Sequence, residues 1–166
     1  MSAVIDGLVF GLKKNVDYAT RLVADLGESQ LIQQPAGLRP SPLNHPAWVL
    51  SHLNVYIPVM IALVRGEEFD DPKSHPFGMQ SKPENDRSIY PLKNELVQTF
   101  VQGHDRLAKQ LANASDDVFE QPVKLARWKE LMPKVGIALP YLLMLHENQH
   151  LGQVSAWRRS LGLPSV

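Results

Sequence analysis

The chain has no cysteine among its 166 residues. Disulfides, thiolate metal ligands and a cysteine nucleophile are therefore excluded, and the composition suits a reducing cytoplasm. Charge of one sign is not in excess either. The 17 Lys and Arg balance the 17 Asp and Glu, and no block of like charge reads as a tail or a nucleic-acid surface. No apolar run approaches membrane-spanning length. The N-terminal MSAVIDGLVFGLKKNVD lacks the basic lead and cleavage site of a secretory signal. No segment alternates as a strand does. These exclusions leave a soluble, cytoplasmic, all-α protein. Apolar residues at 44% and charged residues at 20% are ordinary for a globular chain, and one domain over residues 1–166 accommodates it.

Four segments carry helical periodicity. The first runs from about Val4 to Leu26, with an apolar stripe through Ile5, Leu8, Val9, Leu12, Val16, Ala19, Val23 and Leu26. A proline-broken stretch, ESQLIQQPAGLRPSPLNHP, follows. The second helix starts near Pro46, since proline is welcome at the first helical position, and ends at Gly66. Its inner stripe is Val49, His52, Tyr56, Val59 and Leu63. Pro58 removes one backbone hydrogen bond and predicts a kink near Asn54. Residues 66–90 form a polar connection of a length usually kept for lids or crossovers. The third helix spans about Leu92 to Ala114, and short helical turns are expected in SDDVFEQ and ARWKELM. The fourth spans about Ile137 to Leu161, with Pro140 in its first turn. Four amphipathic helices of this kind read as a four-helix bundle.

The fourth helix carries HENQH, His146 to His150. Residues four apart on a helix are offset by only about 40° around its axis, so both imidazoles can converge on one ion. Both stand where the stripe calls for apolar residues, and burying unpaired imidazoles is costly unless something satisfies their nitrogens. The letters also match the zinc-peptidase pattern H-E-x-x-H. Downstream, however, LGQVSAWRRSLGLPSV contains no His, Asp, Glu or Cys to complete such a site, and an all-helical chain has no edge strand to hold a peptide. A third ligand must come from upstream. His52 fits best, at the middle of the second helix on its inner stripe. His45 reads as a cap or loop residue, His75 as exposed, and His104 as a boundary histidine bonded to a neighbour.

Around these three histidines the candidate catalytic or orienting residues are Gln153, Glu147 and Tyr56. Gln153 lies one turn beyond His150, and Tyr56 one turn beyond His52. Glu147 is read first as an exposed or interface carboxylate, and second as a base. Arg158 and Arg159 read first as surface residues of the helix end, and Trp48, Trp128 and Trp157 as packing or interface residues.

The run HENQHLGQVSAWRRSLGLP resembles the C-terminal signature of the DinB-like superfamily. His146, His150, Gly152, Gln153, Arg158, Arg159, Gly162 and Pro164 carry the match. HPAWVLSHLNVY resembles that family's second-helix motif, and LGESQLIQQPAG its link between the first two helices. The resemblance implies an up-down-down-up bundle, a three-histidine divalent metal site at His52, His146 and His150, and a homodimer. It implies relatives that include thiol-dependent S-transferases and a mycothiol-dependent maleylpyruvate isomerase. Imidazole suits several divalent metals; zinc and nickel are the first expectations. A small-molecule thiol and an electrophilic substrate would be the partners, since the chain supplies no thiol of its own. A non-catalytic metal-containing binding or stress-associated protein is the second reading, and a metal-dependent hydrolase or peptidase the third.

Overall fold

The computed structural model describes residues 2–36 and 43–166. Gly37, where the LGESQLIQQPAG pattern ends, lies outside them. Helix α1 is Ala3–Ala24, α2 Pro46–Arg65 and α3 Lys93–Ala112. The last helix is three consecutive pieces: α4 (Val135–Pro140), a π-helical segment (Tyr141–His146) and α5 (Glu147–Ser160). Short 3-10 turns at Asp116–Glu120 and Ala126–Trp128 fall where the sequence places them. Among the described residues the one strand-like feature is an isolated bridge between Pro122 and Lys134.

Local chemistry sets the ends. The Ser2 hydroxyl accepts from the Ile5 amide to open α1. Pro46 occupies the first turn of α2 behind His45, whose Nδ1 accepts from the Trp48 amide at 3.2 Å. Gly66 closes α2 in the left-handed region at φ 65°, a conformation that suits glycine. Pro58 sits on the exposed side of α2 and offers no amide to the Asn54 carbonyl one turn back.

Paired contacts give the topology. Asn54 donates to the Leu96 carbonyl, and Ile57 packs on Gly103, so α2 and α3 run parallel. Gly11 meets Met144, Asn15 meets Glu147, and Arg158 reaches the Leu22 carbonyl, so α1 and α5 are parallel too. Trp48 packs on His150, and Tyr56 on His146, making α2 antiparallel to the last helix. The bundle is therefore up-down-down-up, with residues 66–92 carrying the chain back between the two parallel helices. α2 is long and apolar enough to span a bilayer, contrary to the sequence reading, but 78% of that stretch is buried in protein. Its apolar surface serves the core.

Two departures concern the last helix and its end. The helix begins at Val135, two residues earlier than read, so Pro140 falls at the end of α4 rather than in the first turn. Proline has no amide to donate to the preceding turn. Asn15 Nδ2 also takes the Leu143 carbonyl, at 2.8 Å. A missing donor and an inserted side chain are recognised causes of such irregular turns. Arg158 is likewise not a surface residue. It is 1% exposed, and its guanidinium forks onto Asp25 at 2.6 and 2.9 Å while also reaching the Leu22 and Pro164 carbonyls. Asp25 is held below the usual carboxylate range, first by that hydrogen bond. Arg159 remains exposed.

The α2–α3 contact leaves no room at Gly103: a Cβ there would lie 2.7 Å from Ile57 Cγ2. Gly103→Val is expected to destabilise the fold by about 1–3 kcal/mol through overpacking. Urea unfolding tests this, and Ile57→Ala in the same chain should restore part of the loss. A variant as stable as the parent would mean that the two helices are not in close register.

Candidate metal centre

His52, from the middle of α2, faces His146 and His150 on the last helix. The Nε2 atoms of His52 and His146 are 3.0 Å apart, and one donor atom from each of the three rings lies within 4.8 Å of the others. His52 is 3% exposed and the other two are half-buried. No carboxylate or further histidine joins the cluster among the described residues.

The surroundings select which nitrogen two of the rings present. His52 Nδ1 lies 2.7 Å from the Phe77 carbonyl oxygen, so it donates there and leaves Nε2 as a lone pair. His150 Nδ1 donates to Gln153 Oε1 at 2.9 Å, and Asn44 Nδ2 donates to the same oxygen. Gln153 is thus an orienting residue for His150. His146 Nδ1 is buried with no hydrogen-bond partner among the described residues. Trp48 stacks on His52 with ring centroids 4.7 Å apart, and Tyr56 packs against His52 and His146.

The long connection also positions the site. It supplies the Phe77 carbonyl to His52, the Ser81 hydroxyl to Trp48 Nε1, and the Glu84 carbonyl to His45 Nε2. His45 is therefore a buried cap, His75 is exposed as read, and neither joins the cluster. Backbone carbonyls such as that of Phe77 have no signature in a sequence, and none was legible there.

Glu147 overturns its first reading. It is 1% exposed and does not join the three imidazoles. Its Oε1 meets His104 Nε2 at 2.8 Å, and its Oε2 accepts from Asn15 Nδ2 at 2.9 Å. His104 Nδ1 contacts the Phe100 carbonyl. The carboxylate thus ties α5 to α1 and α3. Arg158, Glu147 and Asn15 were missed as buried polar residues; the one available signal was their spacing on the inner faces of their helices.

Beside the cluster lies a cavity of about 430 Å³, lined by Tyr56, Trp128, Met132, Tyr141, Leu142 and His146 among others. The donors fit a divalent ion: three imidazoles, two with tautomers fixed to present Nε2, held by the kind of outer hydrogen bonds that metal-ligating histidines use. An all-α up-down-down-up bundle with a three-histidine cluster across α2 and its last helix is the class that fold and site define. A family model described as DinB superfamily matches residues 12–154. The chain belongs to the DinB superfamily. None of the curated proteins matches it.

Two outcomes follow. Gly78 has no space for a side chain, since a Cβ would lie 1.8 Å from the Pro72 carbonyl oxygen. Gly78→Ala is expected to displace the neighbouring Phe77 carbonyl and lower metal affinity by roughly 10–100-fold. Competition against a chelator measures it, and unchanged affinity would show that the connection does not orient His52.

The second outcome concerns acid. Burial, then the charge of His150, pushes His52 down to about 4. Burial, then His150 and His52, pushes His146 down to about 3. Burial also lowers His150. In metal-free protein the unfolded chain takes up protons below about 6.5, whereas the folded sites resist. Stability is then full above that value, falls as pH drops, and levels off near the folded values. The thermal midpoint of metal-free protein should fall between about pH 7 and about pH 5; a flat profile would contradict a buried neutral cluster.

Proposed function

We propose that this chain is a metal-dependent S-transferase that joins a small-molecule thiol to an electrophilic substrate. The observation that carries the reading is the convergence of His52, His146 and His150 beside an apolar cavity that reaches His146. Three neutral imidazoles leave a bound divalent ion, zinc or nickel in this proposal, its full charge and an open position, which lowers the pKa of a thiol or water that reaches it.

The chain's own residues bind and orient. His52, His146 and His150 would hold the ion. Phe77 and Gln153 fix two of the rings through hydrogen bonds. Trp48 stacks on His52. With no cysteine in the sequence, the nucleophilic sulfur arrives with the cosubstrate. A second copy of the chain and a cytoplasmic setting belong to the same proposal.

The cavity favours turnover over a purely structural ion, which would have no reason to adjoin one. A peptidase is disfavoured by Glu147, whose two oxygens are committed to His104 and Asn15. A general base must come within hydrogen-bond reach of the proton it removes.

The test is thiol consumption with a panel of low-molecular-weight thiols and electrophiles. Metal-loaded protein should catalyse transfer, and both chelation and His52→Ala should reduce it to background while the far-ultraviolet dichroism stays helical. Full activity in either case would reject the proposal.

A further inference from the structure

The cavity beside His146 has a distinct chemical character. Its walls are Tyr56, Trp128, Met132, Tyr141 and Leu142, with Leu131 at the lip, 80% exposed. The cationic side chain on its lining is Arg127. That guanidinium is already paired: its Nε and Nη2 donate to the two carboxylate oxygens of Asp71, each at 2.6 Å. The fork is bidentate, the geometry that best matches these two groups, and it leaves Arg127 little charge to offer an anion. Its flat face lies over Trp128, 5.3 Å from the ring centroid.

Tyr56 supplies the complementary polar group. The residue is 5% exposed, its ring touches His52 and His146, and its hydroxyl has no hydrogen-bond partner among the described residues. A buried phenol normally finds one. Here the hydroxyl is neither bonded nor fully enclosed, so it is available to an acceptor on a molecule in the cavity.

We propose that this cavity binds the electrophilic substrate, that it selects uncharged, ring-sized apolar molecules carrying an acceptor for the Tyr56 hydroxyl, and that Asp71 sets the selectivity by neutralising Arg127. The role as a substrate site rests on the S-transferase reading; the preference for uncharged ligands does not.

Fluorescence titration of metal-free protein, without thiol or turnover, tests it, so that the side-chain charges of the lining alone are read. The probes are the neutral naphthyl ketone prodan and the similarly sized anion anilinonaphthalene sulfonate. The parent protein should bind prodan at least about tenfold more tightly than the sulfonate, a difference well within the reach of one unneutralised charge. Tyr56→Phe should shift the emission of bound prodan to the blue, as the carbonyl loses its donor. Asp71→Asn should narrow or invert the preference. Arg127→Met, which removes the charge itself, should keep it, and so separates an electrostatic effect from a disturbed fold. Leu131→Asp at the exposed lip should weaken prodan. A parent protein that prefers the sulfonate overturns the proposal, as does Asp71→Asn with an unchanged ratio, or Leu131→Asp with unchanged prodan affinity. His52→Ala should lose thiol transfer yet still bind prodan. If prodan binding behaves as stated and no thiol is ever transferred, the S-transferase reading fails while the selectivity stands.

Discussion

Three imidazoles that converge inside a protein, with the Nε2 atoms of His52 and His146 3.0 Å apart, form the constraint on which the rest depends. His52 has committed its proton-bearing nitrogen to the Phe77 carbonyl, so Nε2 faces its counterpart on His146 as an acceptor. Such a pair is repulsive unless a proton or a cation lies between. The Nε2–H tautomer of neutral His146 supplies that proton in metal-free protein, and burial keeps both rings neutral, free to give their lone pairs to a cation. A divalent cation satisfies all three rings at once, and it is the solution that the donor set fits.

The fold delivers that arrangement through its topology. The returning connection makes α2 antiparallel to the last helix, so residues at the middle of each can meet. The last helix then works on two faces. One face carries His146 and His150 toward α2, while the other sends Glu147 to His104 and Asn15. Breaking that buried pairing by removing one partner would leave uncompensated polar groups, a cost of about 3–5 kcal/mol for comparable buried pairs. The π-helical segment ends on the ligand His146 itself, and within it Asn15 captures the Leu143 carbonyl. The same α1 residue therefore shapes the helix and holds its carboxylate.

Much of this was legible in the sequence, for a physical reason. Helix periodicity, glycine and proline punctuation and the four-residue histidine spacing are local, and they gave α2 to the residue and the positions of His52, His146 and His150 on facing stripes. What was hidden depends on partners far along the chain. Glu147 looks like a surface acid until Asn15, 132 residues away, is placed against it. Arg158 looks like a helix-end cation until Asp25 closes on it. The role of residues 66–90 was invisible because they act largely through backbone carbonyls and one serine hydroxyl, which periodicity cannot flag. Pro140 was noticed, but its consequence turned on a helix start two residues earlier than the pattern suggested. The apolar content of α2 was underestimated because histidine, asparagine and proline interrupt an otherwise membrane-like run.

The most direct measurement is elemental analysis of untagged protein, beside single alanine substitutions at His52, His146 and His150. The account predicts one divalent ion per chain in the parent and its loss from each substituted protein, with the helical fold retained. A parent that binds no divalent ion under saturating conditions, or substituted proteins that keep it, would contradict the claim that these three imidazoles form one metal site.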